Sequence, residues 1–370
     1  MTPRVPLSVL DLTPVSTGRT ATEALRDSLD LARRAEELGY RRFWLAEHHL
    51  NPGLAGSAPL AFLGLLARET SRIRVGTAAV LSGHHAGLQL AEAAGLVASL
   101  FDGRVDLGLG RSVTSAGTAS AASPPAALPS PPAARVVDGL LLPQPVRVSP
   151  SRGRFGLLAE LVDRGTSVPF EEVVTGILRA LDGTFRGPAG DIVPILPAEG
   201  SGAEVWIHGS SGGESARLAG RLGLPFGANY HSTPTSVLDA VAAYRTAFVP
   251  GVLPRPHVIV SADALVAGTD AEAARLGLGF PQWVRSIRTG EGTIAYPSPE
   301  EALAAPLDAA AEENVRDRVD TRFVGSATTV VERLETLQRV TGADELLVTT
   351  LAHAHADRVR SYELLAEAWL

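Results

Sequence analysis

The sequence predicts an α/β fold: a (β/α)8 TIM barrel with insertions, in a single domain spanning 1–370. Three observations point to it. Eight short strand-like apolar runs are spread along the chain, and each is followed by a helical pattern. No G-x-G-x-x-G follows the first run, which counts against the rival open, doubly wound sheet. No composition shift marks a domain boundary either, because the one biased stretch interrupts a βα series that then resumes.

The first run is 7–12 (LSVLDL). Pro14 and Gly18 mark a turn, and Thr20 and Glu23 stand at capping-box spacing, where each side chain satisfies an amide of the first helical turn. Leu25, Leu29, Ala32 and Ala35 form one helical face, and Gly39 ends it. The second run, 42–46 (RFWLA), leads into Glu47-His48-His49. A helix over 59–70 begins at Pro59, since proline suits a first helical position. The third run is 73–80 with a helix over 89–100, and the fourth is 104–109. Residues 112–134 then break the pattern: 8 are Ala, 5 Ser and 5 Pro. Such a stretch buries too little apolar surface to offset its ordering entropy, so a mobile loop is expected there, placed to close over the barrel mouth. Helical patterns return over 155–163 and 170–181. The fifth run is 204–208 (EVWIH) with a helix to 222, and the sixth is 225–229 with a helix over 235–248. The seventh is 257–266, with helical segments reaching 319. Ser326 caps a helix to 340 with Gly342 as its stop, the eighth run is 345–350, and a closing helix reaches Leu370.

Composition narrows the function classes. The chain has 370 residues, with 33 basic and 40 acidic side chains and a formal charge of −7. An acidic balance argues against general nucleic-acid binding. No apolar run approaches the roughly 18 residues of a membrane span, and the first residues lack a charged-then-apolar leader, so a cytoplasmic protein is expected. Cysteine is absent, which excludes disulfides, thiolate metal sites and cysteine nucleophiles. All the basic residues are Arg, so Schiff-base chemistry is excluded and any fixed cation for a phosphate must be a guanidinium.

In a barrel the chemistry sits just beyond the carboxyl ends of the strands. After the fifth run stands Gly209-Ser-Ser-Gly-Gly-Glu-Ser215, between strand and helix. Free amides at a helix start, glycines that admit close approach, and the Ser211 and Ser215 hydroxyls suit a phosphate. A serine-capped βα turn is the plainer alternative. Arg111, after the fourth run, offers a bidentate contact, although a surface Arg paired with a carboxylate is the commoner case. Runs four and five are neighbours in a barrel, so the two signals can converge on one dianion. Ala78-Ala79 leaves room for a flat ligand at a strand end, or packs as an ordinary rim. One histidine of Glu47-His48-His49 is expected to face the mouth as an acid–base group. With His84-His85 and His353-x-His355 these histidines invite a metal-hydrolase reading. The first run ends in Asp11 rather than an H-x-H, so no metal is expected.

Together these stretches resemble the bacterial luciferase-like flavin monooxygenase family. The resemblance covers most of the chain and is carried by RRFWLAEHHLNPG, RIRVGTAAV, GRVDLGLGR, GSSGGESARLAGRLGLPF, GADELLVTT and RSYELLAEA. It implies a barrel that binds FMN, usually as reduced flavin from a separate reductase, and oxygenates a small organic substrate with O2 through a peroxyflavin. It implies His48 as the catalytic histidine, Arg111 as the phosphate-binding arginine, and Ser210, Ser211, Gly212, Gly213 and Ser215 as the phosphate turn. It also implies a non-prolyl cis peptide at Ala78-Ala79 under the isoalloxazine, and a homodimer. F420-dependent hydride transfer on the same barrel is the alternative, and a flavin-binding protein without turnover is a third reading. Asp11, Tyr230 and His231 are the expected substrate-pocket residues. The chain departs from the usual pattern at His84-His85-Ala86-Gly87-Leu88, where relatives often have Asn-His-x-Pro-Leu. It departs again at His208, where an aliphatic residue is usual, and in the Ala/Ser/Pro tract.

Overall fold

A computed structural model describes residues 3–111, 132–146, 157–158, 160–161, 168–290 and 292–370. The loop expected over 112–134 lies, apart from 132–134, outside the described residues, as does most of the helix expected over 155–163.

The strands in chain order are β1 (Leu7–Asp11), β2 (Arg42–Leu45), β3 (Arg74–Thr77), β4 (Val80–Leu81), β5 (Val105–Gly110), β6 (Arg135–Val137), β7 (Leu140–Leu142), β8 (Glu204–Gly209), β9 (Phe226–Asn229), β10 (Val258–Ala267), β11 (Phe323–Ser326) and β12 (Glu345–Thr349). Eight of them close a parallel barrel in the circuit β1-β2-β3-β5-β8-β9-β10-β12 and back to β1. These are the eight runs read from the sequence. β4 pairs with the end of β5, and β11 extends the upper half of β10 from Ala264 to Ala267. The helices are α1 (Ala21–Glu37), α2 (Pro59–Glu69), α3 (Gly87–Leu100), α4 (Phe170–Asp182), α5 (Glu214–Arg221), α6 (Val237–Ala247), α7 (Asp270–Leu276), α8 (Phe280–Arg288), α9 (Pro299–Ala304), α10 (Ala309–Asp320), α11 (Ala327–Thr341) and α12 (His355–Trp369). No described helix is long and apolar enough to cross a membrane.

Local signals set the helix ends. Thr20 Oγ1 accepts the Glu23 amide at 3.2 Å while Glu23 Oε2 accepts the Thr20 amide at 2.8 Å, completing the capping box of α1. Gly342, at φ +62°, ends α11 in the left-handed conformation that glycine tolerates. The hairpin β6–β7 was not anticipated. Its turn is Asp138-Gly139, both at positive φ, the pairing a two-residue hairpin turn favours.

Side chains alternate in and out along each strand. Leu7 and Val9 of β1, Val205 and Ile207 of β8, and Phe226 and Ala228 of β9 face the helices in one large apolar cluster. Leu10, Trp44, Trp206, Ile259 and Leu347 belong to a second cluster filling the barrel. Trp44 meets Trp206 edge-on, with ring centres 4.9 Å apart. Below the tryptophans, inward-facing charges close the amino-terminal end. Arg42 Nη1 donates to Asp106 at 2.7 Å and its Nε to Glu345 at 3.3 Å. Arg74 Nε and Trp44 Nε1 donate to the same Asp106, at 2.8 and 2.9 Å, and the Ser8 hydroxyl donates to Glu345.

Candidate active site

A cavity of about 560 Å3 opens at the carboxyl ends of the strands. That lies within the usual range for a small-molecule or cofactor site. Ten of the sequence-predicted positions gain a clear place relative to it. His48, Ala78, Ala79, Arg111, Ser210, Ser211, Gly213, Ser215 and His231 all line the cavity. Gly212 does not; it sits against α6, where a Cβ would come within 2.9 Å of the Asp239 carbonyl oxygen.

Two pocket expectations are corrected. Asp11 is fully buried on the outer face of β1, where it accepts from Arg358 of α12 and, at 2.9 Å, from the Thr13 amide. Strand alternation is the reason: it turns Asp11 outward with Leu7 and Val9, and the inward Leu10, with Leu12 beyond the strand, lines the cavity instead. Tyr230 likewise continues the outward series of β9. Its hydroxyl donates to the Leu141 carbonyl at 2.8 Å, while Asn229 faces the cavity.

The residues expected to bind a phosphate meet on one wall. Arg111 follows β5, and its Nη1 donates to Glu214 Oε2 at 2.9 Å. Glu214 is the first residue of α5, and no side chain caps that helix, so its leading amides are left for a ligand. Gly110 faces inward beside Arg111; a Cβ there would already stand 3.2 Å from that of Ala79. The Ala78–Ala79 peptide is cis.

Three imidazoles also line the cavity. The His48 amide donates to the Gly56 carbonyl at 2.8 Å, which fixes the loop after β2. Its Nδ1 is buried without a hydrogen-bond partner among the described residues. Burial depresses His48 to about 4, with Glu47 opposing and His49 adding to the fall. His208, recognised in the sequence only as a departure, proves to be a cavity residue. It faces inward above Trp206, edge-on to Trp44 at 5.4 Å. Glycines on both neighbouring strands make room for its ring. A Cβ at Gly108 would approach its Nε2 to 2.8 Å, and one at Gly227 its Nδ1 to 2.2 Å. Burial alone brings His208 down to about 4. His231 Nδ1 lies 2.6 Å from the Ser261 hydroxyl. Burial, then the charge of Arg318, bring it to about 3. All three rings are therefore neutral at pH 7, each with one N–H and one lone pair. The inward periodicity of β1, β8 and β9 was the available signal for Leu10, His208 and Asn229.

Glu47 borders the cavity with its carboxylate buried. Its Oε2 accepts the Leu81 amide at 2.8 Å. Burial pushes its pKa up, but hydrogen bonds from His85, His49 and Leu81 outweigh this and hold it below the ordinary value.

Comparisons with known proteins bear on the family and the fold. The family model described as luciferase-like monooxygenase matches residues 5–127 and 169–345. The chain is 34% identical to the Bacillus subtilis protein YvbT over 370 residues, covering 98% of this chain and 96% of that one. It is 32% identical over 362 residues to the luciferase-like monooxygenase of Escherichia coli K12, covering 97% and 96%. Among solved structures, apo-MsnO8 superposes with a TM-score of 0.78 at 33% identity, covering 99% of this chain and 98% of that one. Two more distant structures share the fold. One is the oxygenating constituent of 3,6-diketocamphane monooxygenase from Pseudomonas putida in complex with FMN, with a TM-score of 0.62, 19% identity and coverage of 99% and 98%. The other is an F420-dependent secondary alcohol dehydrogenase in complex with an F420–acetone adduct, with a TM-score of 0.61, 13% identity and coverage of 99% and 99%.

Proposed function

The chain belongs to the luciferase-like monooxygenase family, and from that premise we propose that it is an FMN-dependent monooxygenase that uses reduced flavin and O2 to oxygenate a small organic substrate. The observation that carries the reading is the meeting of Arg111, the Ser210–Ser211 turn and the uncapped start of α5 on one cavity wall. A guanidinium, hydroxyls and main-chain amides are the donor set a phosphate monoester needs. Reduced FMN, when bound, supplies the O2-activating chemistry.

The chain's own groups then divide the work. Arg111 and the serine turn bind the phosphate, with Arg111 exchanging its bond to Glu214 for the ligand. Ala78, Ala79 and Gly110 keep the adjacent wall low enough for a flat ring system. Leu10, Leu12 and Ala46 exclude water from the substrate side. His48, neutral at pH 7, holds or moves a proton at the Nδ1 that has no partner among the described residues. In this reading reduced flavin comes from a separate reductase, and the protein works in the cytoplasm as a homodimer.

Arg111→Ala is expected to weaken FMN binding at least tenfold, about 1.4 kcal/mol. Unchanged affinity contradicts the reading. F420-dependent hydride transfer is the second reading, supported by the F420–acetone complex on the same fold. O2 consumption with reduced FMN, set against turnover with reduced F420, separates the two.

A further inference from the structure

Beside the cavity, one carboxylate oxygen gathers three imidazoles. Glu47 Oε1 lies 2.6 Å from His49 Nε2, 3.1 Å from His85 Nε2 and 3.6 Å from His84 Nδ1. A carboxylate oxygen offers two acceptor sites, so three ring nitrogens crowd one atom. The ligand atoms of Glu47, His49 and His84 all lie within 4.8 Å of one another. The His49 and His84 rings are tilted at 63° with centres 5.6 Å apart, so they approach the point from different directions. Around a tetrahedral zinc with bonds of about 2.0–2.2 Å, neighbouring donor atoms stand roughly 3.3–3.6 Å apart. The Glu47–His84 separation already matches that value, those to His49 and His85 are shorter, and small rotations of the imidazoles close the set.

We propose that Glu47, His49 and His84 bind one divalent ion of the zinc type, with His85 or water completing the shell. The donor set decides the class of ion. Two or three imidazoles with one carboxylate and no sulfur suit Zn2+, Co2+ or Fe2+, whereas Mg2+ and Ca2+ prefer all-oxygen shells. The other Glu47 oxygen stays on the Leu81 amide, which orients the carboxylate from behind as an outer-shell bond does in metal sites. The ion joins two segments of the cavity rim: the loop after β2, which carries His48 between the ligands Glu47 and His49, and the turn at Ser82–His84. It clamps the rim, and it is independent of which flavin the cavity takes.

The test uses the full chain freed of metal by chelation, then titrated with Co2+ and followed by its visible d–d bands, with Zn2+ as competitor. One equivalent giving the intense bands of four- or five-coordinate cobalt, displaced by Zn2+, is expected. His84→Asn and His49→Gln, each checked for native circular dichroism, are expected to weaken Co2+ binding more than tenfold, since even outer-shell changes cost about 10–100-fold. His355→Ala, remote on α12 and paired with Asp30, is expected to leave binding unchanged. No saturable uptake, the pale spectrum of six-coordinate cobalt, or equal affinity in wild type and His84→Asn overturns the proposal.

Discussion

The two ends of the barrel bury polar groups to opposite effect. At the amino-terminal end Arg42, Asp106 and Glu345 are as buried as any aliphatic residue, and each finds a partner in the others, in Arg74, in Trp44 or in Ser8. At the carboxyl end, one layer of tryptophan away, His48 and His208 each carry a buried ring nitrogen with no partner among the described residues. A buried polar atom left unpaired costs roughly 1–3 kcal/mol. Other buried atoms are unpaired among the described residues too, Trp206 Nε1 and His257 Nε2 included, but the imidazoles of His48 and His208 both line the cavity. The closed end holds its charges in a satisfied network, whereas the open end keeps unpaired ring nitrogens beside a space a ligand can enter.

Breaking the closed end gives the largest effect. Arg42→Leu removes the cation that Asp106 and Glu345 share, leaving Arg74 to Asp106 and the Ser8 hydroxyl to Glu345, and is expected to cost about 3 kcal/mol of unfolding free energy in denaturant titration. At the open end the balance reverses. His48→Ala is expected to lower turnover about a hundredfold or more, while unfolding free energy changes by less than about 1 kcal/mol, because its Nδ1 has no bond to lose among the described residues. A turnover loss matched by an equal stability loss contradicts the contrast.

Acid sharpens it further. The folded values of about 4 at His48 and His208 lie below the ordinary 6.5, so the unfolded chain binds more protons there. Stability is therefore full above about pH 6.5 and falls as pH drops toward 4. Each imidazole contributes up to about 1.4 kcal/mol per pH unit within that window. His208→Leu, which keeps the ring's space filled between Gly108 and Gly227, is expected to reduce the slope by close to one proton. Unfolding curves at several pH values check it. The smallest effect is at the rim. The Arg111–Glu214 pair is half-exposed, so Glu214→Gln is expected to raise FMN affinity about threefold, some 0.7 kcal/mol, by freeing the guanidinium.

Much of the barrel was legible because each strand is a short run ending in a turn, and α1 announces itself through Thr20 and Glu23. The hairpin escaped because its strands are three residues each and one face is exposed, although Asp138-Gly139 carried the turn signal. In the site, residue chemistry pointed to Arg111, the serines and His48, which the cavity brings together. It misdirected at Asp11 and Tyr230, because side-chain type says nothing of which face a strand residue takes. Counting in twos from Ser8 or Trp206 turns Asp11 out and His208 in. The crowding on Glu47 was not legible, since it depends on two loops, after β2 and β4, folding against each other.

Paired fluorescence titrations of FMN and riboflavin, into wild type and Arg111→Ala, bear most directly on the claim that the open end grips a phosphate. FMN is expected to bind wild type at least about tenfold tighter than riboflavin, and the advantage is expected to collapse in Arg111→Ala. Equal affinities in wild type, or an FMN advantage that survives the substitution, contradict it.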